Sequence, residues 1–441
     1  MSVQIKELQQ IPEGYRQTEV GVIPDDWGLQ SIDAFAEVSS GGTPNRKNKG
    51  YWNGDIPWVT TTLINGHEIQ AAEQFITEKG LTGSATKWFK KGTILMAMYG
   101  QGKTRGKVSV LGIDATINQA CAAIVVKKTV EVDFFLHYLN GKYDEIRNLS
   151  NAGGQENLSG SIIKTIMVPV PLKNEQIEIA NALTDVDTLI SALEKLISKK
   201  QDIKTAAMQQ LLTGKKRLPP FDQAVDGKER GYKQSELGKI PVDWSAGLFG
   251  DYLEFCASGA TPYRGRPEFY KGNFRWVSSG ELNYNVIYDT IEKVSEDAIK
   301  KTNLRIHPAG TFLMAITGLE AAGTRGSCGI LGAPSATNQS CMALYPNHKL
   351  STNFLFHYYV YKGNELAFKY CQGTKQQSYT AKLVKLLPIN VPDTIEEQEA
   401  IACALSDIDS DIKALEQRLI KTKLLKKGMM QELLTGRTRL L

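Results

Sequence analysis

Apolar residues fall at Ile179, Leu183, Val186, Ile190, Leu193 and Ile197, in steps of four and three. The same spacing returns at Ile401, Leu405, Ile408, Ile412, Leu415 and Leu419. Such steps put six side chains on one stripe of a helix, the heptad seam of a coiled coil. Charged and polar residues fill the other faces, so the pattern predicts two long amphipathic helices, roughly Glu175–Thr213 and Glu397–Thr435. Both begin with Glu-Gln and end with Leu-Leu-Thr-Gly, and Gly214 and Gly436 stand where a C-terminal cap is expected. Two matching stripes in one chain predict that the helices bury their seams on each other. A helix of about 38 residues spans about 57 Å.

Short apolar runs separated by Gly, Asn, Lys and Thr clusters read as strands and turns. Examples are Thr93–Met98, Val108–Leu111, Ala122–Val126 and Ile166–Val170, while Phe134–Asn148 and Phe354–Lys369 read as helices. The chain also repeats itself. Gly14-Tyr15-Arg16-Gln17-Thr18-Glu19-Val20-Gly21 returns as Gly231-Tyr232-Lys233-Gln234-Ser235-Glu236-Leu237-Gly238, a shift of 232 − 15 = 217. Thr43-Pro44, Trp58-Val59, Thr104-Arg105-Gly106 and Asn118-Gln119 return as Thr261-Pro262, Trp276-Val277, Thr324-Arg325-Gly326 and Asn338-Gln339. The shift is 397 − 175 = 222 at the helices, so only small insertions separate two copies of one unit. The expected fold is α+β: two mixed α/β domains in tandem, separated by two long antiparallel helices in a coiled-coil spacer, with a pseudo-twofold arrangement. The expected divisions are 1–172, a globular domain with its N-terminal tail; 173–213, the first spacer helix; 214–231, a linker; 232–394, the second globular domain; and 395–441, the second spacer helix.

Composition adds bounds. Apolar content of 42% and charged content of 22% describe an ordinary globular chain, and a net charge of +5 over 441 residues permits a polyanionic partner without demanding one. No apolar run approaches a membrane span. Six cysteines include no Cys-x-x-Cys pair, which predicts neither a zinc module nor a disulfide framework and suits a reduced, cytoplasmic setting.

Catalytic constellations are sparse. Gly100-Gln101-Gly102-Lys103-Thr104 resembles the end of a phosphate-binding loop, but Ala97 stands where its first glycine belongs, and the twin stretch Gly318 to Thr324 has no lysine. The five histidines form no His-Glu-x-x-His pattern, and His137 and His357 sit in the predicted helices among Phe and Tyr, where packing is the simpler role. No Gly-x-Ser-x-Gly elbow and no dinucleotide fingerprint occur, and Cys121 and Cys341 lie in apolar strand context. Binding chemistry is better supplied. Arg46, Lys47, Lys49, Lys103, Arg105 and Lys107 in the first copy are interleaved with Asn45, Asn48, Tyr51 and Trp52, and the second copy has Tyr263, Arg264, Arg266 and Arg325 at related places. Such residues attract phosphates and can bond base edges; solvated surface charge is the competing reading. Asn118, Gln119, Asn338 and Gln339 could read bases or simply satisfy backbone groups. The frame matches closely between copies, whereas Asn45–Pro57 and Thr60–Lys90 match Tyr263–Arg275 and Ser278–Pro308 poorly. A repeated frame with two dissimilar faces suits a reader of an asymmetric, two-part target.

The chain resembles the specificity subunits of type I restriction-modification systems. The resemblance is carried by the opening phrase Gly14–Trp27 and its twin Gly231–Trp244, by Gly153-Gly154-Gln155 with Asn157-Leu158-Ser159, by Pro169, Pro171 and Glu175-Gln176, and by Met208–Gly214 and Met430–Gly436. It implies base-contacting roles for Gln155 and Asn157; the second copy departs there, with Lys375-Gln376-Gln377-Ser378-Tyr379. It further implies a non-catalytic, DNA-binding subunit without cofactors of its own. Each globular part would be a target recognition domain reading half of a split double-stranded DNA sequence. The helices would set the gap and dock two methylation subunits that use S-adenosylmethionine, joined by two restriction/translocase subunits that use ATP and Mg. A stand-alone DNA-acting enzyme and a purely protein-binding helical scaffold are the alternatives.

Overall fold

The computed structural model describes residues 11–100, 102–149, 157–222, 231–321, 323–371 and 377–440. The chain forms two compact units, one of residues 1–194 with 417–441 and the other of residues 195–416. This differs from the expected division into globular domains and separate spacer helices. The long helices run Lys173–Leu211 and Ile395–Leu433, and each contributes one half to each unit.

The reason lies at the helix starts. Ile179 and Leu183 are fully buried in the core of the first unit beside Phe134, Phe135, Leu433 and Leu434. Ile401 and Leu405 are buried likewise in the second, with Trp244, Phe354 and Leu212. These seam positions therefore fasten a helix to its globular part. Ile190, Leu193, Ile197 and Ile412 are also buried, whereas Val186, Ile408, Leu415 and Leu419 are half-buried. Within the first unit Asp187 pairs with Lys426 at 2.6 Å and Glu194 with Lys423 at 2.7 Å, so the helix segments run antiparallel. Within the second, Lys200 meets Asp411 at 2.8 Å and Lys204 meets Asp409 at 2.5 Å, again antiparallel.

In the first unit, four antiparallel strands lie in the order Ala36–Ser40, Cys121–Val126, Ile94–Ala97, Val108–Val110. Ile94, Leu95, Met96 and Ala97 are all fully buried because alternate side chains enter different cores. Ile94 and Met96 face the helical side, and Leu95 and Ala97 face a second, four-stranded sheet. That sheet runs Gln74–Ile76, Trp52–Val59, Ala115–Ile117, Trp88–Phe89. The second unit repeats the plan with one strand added and one lost: its other sheet has three strands, with only the bridge His307–Ser335 where the first unit has Trp88–Phe89. Asn285–Ile287 joins Cys328–Leu331 as a parallel fifth strand, where the first unit has only the single bridge Ile69–Leu111.

Two local expectations change. The helix expected over Phe134–Asn148 is broken into Val132–Gly141 and Tyr143–Asn148, while its twin is continuous over Thr352–Tyr370. Gly141 at the break corresponds to Tyr361 in the unbroken copy, although that helix carries Gly363 in its interior. The stretch 214–231, expected as a linker, begins as an anchored segment. Arg217 Nε donates to Glu397 Oε1 at 2.6 Å and Nη1 to Asp243 at 2.7 and 2.8 Å, and Leu218 packs on the core. Residues 223–230 lie outside the described part.

The first unit has the same clamp. Arg439, past the end of the second long helix, bonds Glu175 at 2.6 and 2.8 Å and Asp26 at 2.8 and 3.0 Å. Glu175 also accepts from Trp27 Nε1 at 3.0 Å. The repeated Glu-Gln now has a physical account. Glu175 takes the arginine, while Gln176 accepts from Glu131 N at 2.8 Å and donates to Pro171 O at 2.9 Å. Gln398 does the same with Ser351 N and Pro392 O. The terminal glycines have φ of +66° and +69°, a region that favours glycine. A Cβ on Gly214 would lie 2.4 Å from Pro241, and one on Gly436 2.5 Å from Pro24. Among the described residues no helix is long and apolar enough to cross a membrane.

Candidate nucleic-acid interface

In each unit a loop begins at a tight crossing. A Cβ on Gly41 would sit 2.2 Å from Ile117 O, and one on Gly259 1.9 Å from Thr337 O, so only glycine lets the chain pass. The Thr-Pro pair follows. Thr43 Oγ1 is hydrogen-bonded to Gln119 Oε1, and Thr261 Oγ1 to Gln339 Oε1. Both glutamines are exposed, yet this oxygen of each serves the loop's start. Asn118 and Asn338 are half-buried; Asn338 Oδ1 accepts from Ser340 N at 3.0 Å, while Asn118 Oδ1 is buried with no hydrogen-bond partner among the described residues.

The loop then turns on Asn45 and Asn48, whose side chains accept from Lys47 N at 3.0 Å and Gly50 N at 3.1 Å. These turns present Arg46, Lys47 and Lys49 to solvent. The Arg46 guanidinium lies 3.9 Å from the Trp52 ring and 4.7 Å from the Trp58 ring, and Nη1 donates to Gln74 Oε1 at 2.8 Å. The two rings meet edge to face at 5.0 Å, and Trp58 Nε1 anchors the loop through Gly42 O at 2.9 Å. In the second unit Arg264 lies 4.3 Å from Tyr270 and 5.2 Å from Trp276, and Trp276 Nε1 bonds Ala260 O at 3.1 Å. Arg264 forms a bidentate pair with Glu292 at 2.5 and 2.8 Å, which holds the Glu292 carboxyl below its usual range. Tyr263 is 72% exposed, and Arg266 lies exposed 5.5 Å from the Phe269 ring.

The remaining cations divide. Lys103 is exposed and Lys107 half-buried. Arg105, expected at the surface, is only 4% exposed, so it belongs to the interior of its loop and offers no open contact. Arg325 is half-buried and spends Nε on Leu319 O at 2.8 Å and Nη2 on Glu320 O at 3.1 Å, closing its own loop. Asn157 is half-buried beside Leu158, whose N–H bonds Met98 O at 2.9 Å. Gln155, Lys375 and Gln376 lie outside the described residues. A trough of about 520 Å³ joins several of these segments, lined by Ser39, Ser40, Tyr99, Gln119, Ser159, Ser161 and Lys164. The stacked arginine has a signal in the sequence, aromatics six and twelve positions after it in both copies, whereas Gln74 and Glu292 have none.

Four groups able to do chemistry, Cys121, Cys341, His137 and His357, are buried, whereas Cys403, His67 and His348 are exposed. Burial pushes the Cys121 thiol up to about 12, and Cys341 rises for the same reason. His137 Nε2 is 3.2 Å from Thr184 Oγ1 and His357 Nε2 is 2.9 Å from Ser406 Oγ, so each ties a domain helix to a long helix. Burial lowers both imidazoles to about 4. Among the described residues no group of three or more His, Cys, Asp or Glu is placed to hold a metal ion.

Similarity to known proteins follows the same lines. The MjaIX type I restriction enzyme specificity subunit of Methanocaldococcus jannaschii is 28% identical over 313 residues, 69% of each chain. The MjaVIII specificity subunit of that organism is 23% identical over 97% of this chain and 96% of its own. The crystal structure of the type I restriction-modification S subunit from M. genitalium aligns with a TM-score of 0.59 at 14% identity, covering 92% of this chain and 96% of that one, and so shares the fold. The profile of the type I restriction modification DNA specificity domain matches residues 24–205 and again 241–424. With the duplicated frame, the two dissimilar loop modules and these matches together, the chain belongs to the family of type I restriction-modification DNA specificity proteins.

Proposed function

We propose that each unit reads one half of a split, asymmetric DNA target and that the paired long helices set the gap between the halves. The observation that carries this reading is the contrast between repeated clamps and unlike modules: Arg439–Glu175–Asp26 and Arg217–Glu397–Asp243 are alike, whereas Arg46–Gln74 and Arg264–Glu292, at corresponding places, differ in chemistry. Two methylation subunits dock along the outer helix faces and carry S-adenosylmethionine; two restriction/translocase subunits carry ATP and Mg. This chain supplies address and spacing and performs no chemistry, which fits the burial of Cys121, Cys341, His137 and His357.

The test is to express the chain with its methylation subunits and map methylated adenines across a genome. A two-part motif is expected, and exchanging residues 43–170 for those of another family member should change one half only. A motif that is unsplit, or unchanged by the exchange, would sink the reading. A matched seven-residue insertion in both helices adds about 10.5 Å and should lengthen the gap by about 3 base pairs.

A further inference from the structure

The two stacked arginines occupy equivalent places but are not equally engaged. Arg46 lies on Trp52 and Trp58 and is exposed; among the described residues its hydrogen bonding uses Nη1 alone, on the neutral amide of Gln74. Arg264 lies on Tyr270 and Trp276, and both Nη atoms are taken by the carboxylate of Glu292. Gln74 and Glu292 stand at corresponding points, Gln74 opening the strand that pairs with Trp58 and Glu292 just before the strand that pairs with Phe274. The surroundings reinforce the contrast. The first loop, residues 43–52, holds Arg46, Lys47 and Lys49 and no acid; the second, residues 261–270, holds Arg264 and Arg266 with Glu268. Among the described residues neither Lys47 nor Lys49 has an acidic partner.

We propose that the residue beneath each stacked arginine decides whether that arginine is open to DNA: Arg46 over Gln74 is a phosphate contact of the first unit, and Arg264 over Glu292 is an internal ion pair. This rests on the DNA-specificity reading and deepens it. The aromatic pair does the same work in both units. It holds a planar cation at a fixed place, so little rotamer entropy is lost when an anion arrives. The amide leaves the positive charge uncompensated, whereas the carboxylate cancels it and fills the fork that would otherwise face a phosphate. The first unit then supplies more of the counterion release on binding than the second.

The experiment uses the full chain and a fluorescent duplex of random sequence, with anisotropy read across a salt series. Each phosphate contact contributes about 0.9 to the slope of log K against log salt. Gln74→Glu is close to isosteric and keeps the side chain that Arg46 rests on; it should lower the slope by about one, as Arg46→Ala should. Glu292→Gln should raise it by about one, by freeing Arg264. Circular dichroism on the two isosteric variants confirms that the fold is kept. Wild-type slopes in both isosteric variants, with normal wild-type binding, overturn the inference and leave the DNA-specificity reading standing. No binding of the duplex by the wild-type chain overturns both.

Discussion

The clamps at the helix ends and the loop modules above the strands were built from the same duplication, yet they differ in kind. Each clamp brings together an arginine past one long helix, a buried glutamate at the start of the other and an aspartate of the opening phrase. Every member has an equivalent in the other unit. Even here one detail differs: Trp27 Nε1 donates to Glu175, while Trp244 Nε1 is buried with no hydrogen-bond partner among the described residues. The modules keep the start of the loop, its Thr–Gln bond, the stacked arginine and its rings, but not the residue beneath that arginine. A buried side chain is constrained by every neighbour, so the clamp tolerates little change. An exposed loop is constrained by what binds it, and the two loops have diverged.

The largest loss of stability is expected at the clamp. Trp27 is 1% exposed and lies under Gly436, whose Cβ would be 3.1 Å from its ring. Trp27→Ala should cost about 3–5 kcal/mol, read as a lower urea midpoint for the first unit. A change below about 1 kcal/mol would show that the clamp does not hold the unit together.

A pH series sharpens the same contrast. His137 and His357 are buried, with burial lowering both imidazoles to about 4. Between about 4 and the usual 6.5 the unfolded chain takes up protons that the folded chain refuses, so stability is present near neutrality and falls as pH falls through this window. The full effect is on the order of 3 kcal/mol for each histidine at the acid end. Denaturant midpoints should drop between pH 7 and pH 5, and the drop should shrink in His357→Gln. An equal drop in that variant would place the acid sensitivity elsewhere.

The smallest effect belongs to the loop's start. Gln119→Ala removes the bond to Thr43 and should cost about 0.5–1.5 kcal/mol, with weaker DNA binding because the loop is held less firmly. Unchanged stability together with lost binding would instead make Gln119 a direct contact.

Much of the fold was legible because burial writes itself as a period. Ile179 to Ile197 and Ile401 to Leu419 spelled the helices, and the repeated Glu-Gln and Leu-Leu-Thr-Gly marked both of their ends. What was not legible is where the units divide, since the partners of Ile179 include Leu433 and Leu434, far along the chain. Charge misled at Arg105 and Arg325, because residue type predicts exposure only on average: Arg105 is buried, and Arg325 closes its own loop. Composition could show that Arg46 and Arg264 lie in basic loops. It could not show which one has a carboxylate beneath it, because Gln74 and Glu292 are 28 residues away.

The clamp also sets an order of assembly on the ribosome. Tyr15 donates to Gly436 O across 421 positions, and residues 417–441 belong to the first unit. The second unit is drawn from one continuous stretch, 195–416. At about 5–20 residues per second, Tyr15 waits roughly 20–80 s for its partner. The unit whose synthesis starts first is therefore completed last. A premature stop at residue 417 would leave the later unit whole and the earlier one open, with Ile179 and Leu183 uncovered for chaperones to find.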